Sequence, residues 1–264
     1  MMNFDIPGLP ERTVKPRDNG LTMMMDKGLS IREVENTLEA SHQHFDIAKL
    51  GFGTSVITND LETKLALYKE ANIRTCFGGT LFELFYAKGL FDEYRKLIDK
   101  YEMPLAEVSD GSIEIPHEVK CNCISKLAEQ TTVFSEVGSK DADKIIPPYK
   151  WIKLIQTELE AGSWKVIGEA REGGNVGLFR STGEVRSGLV DEILHSIPGE
   201  KIMWEAPQKA QQVWFIKLLG SNANLGNIAP NEIIPLETLR LGLRADTFDM
   251  FMNEDAKNKV SSNL

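Results

Sequence analysis

Along this chain, short runs of apolar and β-branched residues alternate with longer amphipathic stretches. The runs Leu21–Asp26, Ile47–Gly51, Arg74–Phe77, Leu105–Ser109, Thr132–Val137, Lys165–Ala170, Lys201–Ala206 and Ala223–Ile228 read as strands. Most are near-continuously apolar, as strands covered on both faces should be. Between them the spacing predicts helices. Ile31–Leu38 follows Ser30, an N-cap with Glu33 three residues on. Leu61–Ala71 starts after Asp60. Pro147 and Pro148 open a helix that runs through Glu160 and is closed by Gly162. Asp191–Ile197, Lys209–Leu219 and Leu236–Leu241 complete the set, and Gly78-Gly79-Thr80 precedes a further helix.

Successive strand ends lie 20 to 36 residues apart, room for a strand, a helix and two loops. Eight such units predict a single (β/α)8 TIM barrel spanning the 264 residues, with a polar tail from about residue 249. An open doubly wound sheet is the alternative, but no G-x-G-x-x-G follows the first strand.

Composition narrows the function classes. The formal net charge is −9, which disfavours nucleic acid and anionic membrane surfaces as partners. A small anionic substrate is compatible with it if a local basic pocket opposes the global sign. No run approaches the roughly 20 apolar residues of a membrane helix, and the opening MMNFDIPGLP lacks the pattern of a signal peptide. The three cysteines, Cys76, Cys121 and Cys123, are odd in number and lack structural zinc spacing, so they read as reduced cytoplasmic thiols. His42 and His44 read as surface or packing residues. A homo-oligomer is the default expectation for a barrel of this size.

In such a barrel the C-terminal strand ends carry the chemistry. Here they read MMMDKG, AKLGFGT, CFGGT, AEVSDGS, FSEVGSK, GEAREGG, WEAPQK and NLGN. The acids are Asp26, Glu107, Asp110, Glu136, Glu169 and Glu205, hard oxygen donors that suit Mg²⁺. The bases are Lys27, Lys49, Lys140, Arg171 and Lys209. Strand alternation puts Glu169 and Arg171 on one face, and an arginine fork matches carboxylate or phosphate oxygens. Backbone N–H groups near Gly79, at a helix start, and Gly226, at the eighth strand, are candidate anion contacts. The loop from Glu172 to Ser187 is long and glycine-rich, so it is either a lid or a plain surface excursion.

The segments PRDNGLTMMMDKG, DIAKLGFGT, CFGGTLFE, AEVSDGSIEIP, SEVG, GEAREGGNVG, WEAPQKAQQVWFI and NLGNIAPNEIIPLETLRLGLRADTF run in order from Pro16 to Phe248. On these the chain resembles the phosphosulfolactate synthase family, which begins one route to coenzyme M. The resemblance implies a (β/α)8 fold and a carbon–sulfur lyase. That enzyme adds sulfite to phosphoenolpyruvate with Mg²⁺, giving (2R)-phospho-3-sulfolactate through an aci-carboxylate. Within it, Lys140 and Lys49 are the candidate general acids. Glu136, Glu169 and Glu107 are the candidate metal ligands. Lys27, Arg171, Gly79 and Gly226 are candidates for phosphate and carboxylate. The family pattern has a lysine pair after EVG, and Ser139 stands at the first of those two positions. The alternatives are a related barrel enzyme acting on another enolpyruvate or phosphorylated acid, and a non-catalytic stress-associated homologue. A degraded site would lose several of the charges, and here the ring is kept apart from Ser139.

Overall fold

A computed structural model of the chain describes residues 3–4, 6–139 and 146–252. Eight parallel strands form one closed barrel: β1 (Thr22–Asp26), β2 (Ile47–Leu50), β3 (Arg74–Phe77), β4 (Leu105–Val108), β5 (Thr132–Val137), β6 (Lys165–Gly168), β7 (Ile202–Glu205) and β8 (Leu225–Ile228). They pair in chain order, and β8 returns to β1. That closure separates the (β/α)8 barrel from a doubly wound sheet, which would leave two edges unpaired. The residues after 252 of the expected polar tail, and Lys140, lie outside the described residues.

Helices clothe the barrel: α1 (Ile31–Ser41), α2 (Leu61–Glu70), α3 (Gly79–Ala87), α4 (Phe91–Lys100), α5 (His117–Ala128), α6 (Pro148–Glu160), α7 (Ser187–Ser196), α8 (Lys209–Leu219) and α9 (Ile233–Arg240). The Ser30–Glu33 capping box forms as the sequence predicts, with Ser30 N–H donating to the Glu33 carboxylate at 2.8 Å. Two helices, not one, connect β3 to β4. The second of them and α5 escaped the periodicity reading, and α7 begins four residues before Asp191.

The two-residue period of a strand decides what the barrel interior holds. Met23, Ile47, Cys76, Leu105, Phe134, Ile167 and Met203 form one buried apolar layer inside the barrel. Two residues further along the same strands stand Met25, Lys49, Gly78, Glu107, Glu136, Glu169 and Glu205, and all seven line the cavity at the barrel mouth. The polar ring is therefore the next inward layer above an apolar floor.

The same period moves Asp26 off the ring. It follows the inward Met25 and points outward, where it is fully buried against α2. Lys64 donates to its two oxygens at 3.0 and 3.2 Å and the Tyr68 hydroxyl donates at 3.0 Å. The N–H groups of Gly28 and Leu29 also donate to it, both at 2.8 Å, which fixes the turn that carries Lys27. Asp110 likewise leaves the ring and accepts from Lys120 at 2.8 Å. Lys209 pairs with Asp246 on the surface, at 3.0 Å.

At the opposite end of the barrel lies a groove of about 1420 Å³ beneath the N-terminal arm. Arg12 pairs there with Glu237 and Arg17 with Asp46, Arg74 lies over the Trp164 ring, and Lys15 donates to the carbonyl of His42. These bonds fasten the arm across the barrel floor.

Breaking a buried pair leaves the surviving charge uncompensated. Lys64→Met should therefore destabilise the fold by about 3–5 kcal/mol in urea unfolding. A loss below about 1 kcal/mol would show that Asp26 is held by Tyr68 and the turn alone.

Candidate active site

The mouth cavity has a volume of about 440 Å³. At its centre Lys49 projects from β2, buried, with its ammonium 2.8 Å from Glu107 Oε2, 3.5 Å from Glu205 Oε1 and 3.8 Å from Glu136 Oε2. Burial alone would lower the Lys49 pKa, but Glu107, Glu205 and Glu136 outweigh it and hold the ammonium well above its ordinary value. The carboxylates feel the converse. Burial raises Glu107, Lys49 opposes this, and Glu136 adds to it, leaving that carboxyl above its usual range. Burial is also the largest effect on Glu205, with Lys49 opposing and Glu136 and Glu107 adding, and its carboxyl is pushed up to about 7. Lys49 thus lies within ion-pair distance of three of the four ring carboxylates at once.

Carboxylate oxygens of Glu136, Glu169 and Glu205 all lie within 4.8 Å of one another, and the three residues are buried. An all-oxygen set of this kind could hold a hard divalent cation such as Mg²⁺ or Mn²⁺. Glu205 stands in this trio where the sequence pointed to Glu107. The oxygens of Glu107 are engaged elsewhere, Oε1 by the Gly79 N–H at 2.8 Å and Oε2 by Lys49.

That bond also changes the reading of Gly79. Its N–H is directed at Glu107 rather than left for an anion, and a Cβ there would come within 2.2 Å of Ser109 Oγ. Glycine is required for close packing. The first turn of α3 still opens on the cavity through the exposed Thr80. Gly226 sits beneath the mouth, where a Cβ would meet Met203 and Met23 of the apolar layer at 3.2 and 3.4 Å. Its neighbour Asn227 lines the cavity instead.

Arg171 lines the cavity with Glu169, but it lies beyond the end of β6 with φ 56°, so the turn and not strand alternation places it there. Lys27 lies on the rim, paired with Glu172 and 6.0 Å from the centre of the Phe52 ring. The segment 172–186 is a packed strap. Val176, Leu178, Phe179 and Val185 are buried, Leu178 N–H donates to the Glu169 carbonyl at 3.0 Å, and the buried Gln211 amide donates to the carbonyls of Gly174 and Gly183 at 2.8 and 3.0 Å. At Gly177, with φ +60°, a Cβ would lie 2.0 Å from the Glu169 carbonyl oxygen, so only glycine lets the strap pass this close to β6.

Residues 10–246 match the sequence model of the (2R)-phospho-3-sulfolactate synthase family. The chain belongs to the phosphosulfolactate synthase family. It is 39% identical over 243 residues to the phosphosulfolactate synthase of Bacillus subtilis (strain 168), covering 91% of this chain and 96% of that protein. It is 44% identical over 235 residues to the phosphosulfolactate synthase of Methanocaldococcus jannaschii, covering 87% of this chain and 94% of that protein. Among solved structures, 3-hexulose-6-phosphate synthase from Salmonella typhimurium superposes with a TM-score of 0.54 at 12% identity, covering 83% of this chain and 99% of that one. That likeness shows the barrel alone. No helix among the described residues is long and apolar enough to cross a membrane.

Within this phosphosulfolactate synthase fold the trio geometry ranks the carboxylates. Glu205→Gln should weaken Mn²⁺ binding by at least about tenfold in isothermal titration, and Glu107→Gln by less. A larger loss from Glu107→Gln would place the ion nearer β4.

Proposed function

We propose that this chain adds sulfite to phosphoenolpyruvate in a Mg²⁺-dependent reaction, giving the (2R)-phospho-3-sulfolactate that the family is named for. The observation that carries the reading is the buried acid trio of Glu136, Glu169 and Glu205 beside Lys49, with Arg171 lining the same cavity.

Glu136, Glu169 and Glu205 would hold the metal ion, with Glu107 the adjoining carboxylate of the ring. When bound, Mg²⁺ supplies positive charge to the substrate oxygens. Arg171 and the rim residue Lys27 bind and orient the substrate phosphate and carboxylate. The sulfite sulfur lone pair attacks the methylene carbon, and the carbon–carbon π pair moves onto the neighbouring carbon and into its carboxylate as an aci-anion. Lys49, fixed by its glutamates, stands as preorganised charge toward that anion. A proton then passes to the carbon that bears the phosphate ester. Lys140, which follows Ser139 in the chain, is our first choice as its donor, and Lys49 the second. No bond to the enzyme forms. Three free cysteines fit a reducing cytoplasmic setting.

The test is to incubate the purified protein with phosphoenolpyruvate, sulfite and Mg²⁺ and to follow phosphosulfolactate by mass spectrometry. Product is expected. Folded protein that yields none, beside a working family member, would overturn the assignment and favour a different phosphorylated acid. Lys140→Ala should lower kcat by about 100-fold or more. Near-normal turnover in that variant would transfer the donor role to Lys49.

A further inference from the structure

Strand β8 breaks the alternation that the other seven keep. Its pairing with β1 runs from Thr22 opposite Leu225 to Met24 opposite Ile228, so β8 carries one extra residue over that interval. This is a β-bulge, a device that re-aims a side chain beside a site. Gly226 occupies the inward position in the apolar layer, against Met203 and Met23. Asn227 follows immediately with φ 59°, is buried, and nonetheless lines the mouth cavity. Regular alternation would have turned it toward the helices.

Arg171, also at the cavity, is another non-glycine residue in the left-handed region, with φ 56°. That conformation costs on the order of 1 kcal/mol for a residue with a Cβ, so something must hold it. Two hydrogen bonds do. Asn227 Nδ2 donates to the Arg171 carbonyl oxygen at 3.0 Å, and the Arg171 N–H donates to Glu169 Oε1 at 2.6 Å. The peptide groups on both sides of Arg171 are thereby fixed. Its guanidinium has no carboxylate or carbonyl partner among the described residues.

We infer that Asn227 is a positioning residue: through the Arg171 carbonyl it holds that residue left-handed and so sets where its guanidinium meets an anion. Glycine would adopt the same φ at position 227 with less strain, so the asparagine is there for its side chain. If Arg171 relaxed to an ordinary φ, its Cβ and guanidinium would swing away from their present place. The inference rests on the reading of the mouth as a site for a small phosphorylated anion.

The experiment measures inorganic phosphate binding by calorimetry in the presence of Mg²⁺ for Asn227→Gly, Arg171→Ala and the double variant. Each single change should weaken binding by about tenfold, and the double by little more than the stronger single, because the two act as one unit. Asn227→Ala, which also lacks the donor, should match Asn227→Gly and serves if the glycine variant folds poorly. The positioning role falls if the Asn227 variants bind phosphate as the parent does while Arg171→Ala does not. It falls equally if the double loses about 100-fold, the product of independent effects, or if only the Asn227 variants lose affinity. Parent-like binding in all variants would instead overturn the reading of the mouth as an anion site.

Discussion

Glu107, Glu136, Glu169 and Glu205 are buried together at the top of the barrel with the ammonium of Lys49 among them. Four carboxylates away from water are tolerable only if each finds charge or hydrogen-bond donors. Backbone groups answer part of that need. Glu107 accepts from Gly79 N–H, Glu169 from Arg171 N–H and Glu205 from Ala170 N–H at 3.1 Å. Each of these donors lies where a strand turns outward or a helix begins, so the βα turns are shaped by the acids they serve. The strand carrying Glu136 is pinned from behind, where buried Lys120 donates to its carbonyl at 2.6 Å and is itself held by Asp110 and Glu158. Together these bonds hold the carboxylates of Glu136, Glu169 and Glu205 as one buried all-oxygen trio.

The barrel converts this constraint into geometry by simple periodicity. An apolar layer and the layer two residues above it bring Met25, Lys49, Glu107, Glu136, Glu169 and Glu205 from six strands to one place. The strap 172–186 then walls one side, tied to β6 through Leu178 and to α8 through Gln211. The one departure from periodicity, at Gly226-Asn227, adds an amide where an eighth strand would otherwise end in an apolar residue.

The barrel was legible in the sequence because buried parallel strands announce themselves as apolar runs at regular spacing. The acid ring was legible because charges beside such runs have nowhere inexpensive to go. Membership of the ring was harder. Asp26 and Glu107 are both acids at strand ends, and only the phase of the strand sends one outward to Lys64 and the other inward to Lys49. Glu205 was visible as a ring acid, but its place beside Glu136 and Glu169 depends on β5, β6 and β7 pairing in chain order, which brings residues 69 positions apart together. Asn227 carried no signal beyond its position after a glycine at a strand end, since a bulge is set by pairing with β1 and not by local composition. The role of Gly79 was not legible, since a glycine pair before a helix fits an anion loop and close packing equally well.

The central claim is that the acid trio is completed by a divalent cation. Anomalous X-ray diffraction from crystals grown with Mn²⁺ tests it most directly. The account predicts a single strong peak bounded by the carboxylates of Glu136, Glu169 and Glu205, beside the ammonium of Lys49. A well-ordered mouth with no peak, or a peak bound by other residues, would contradict it.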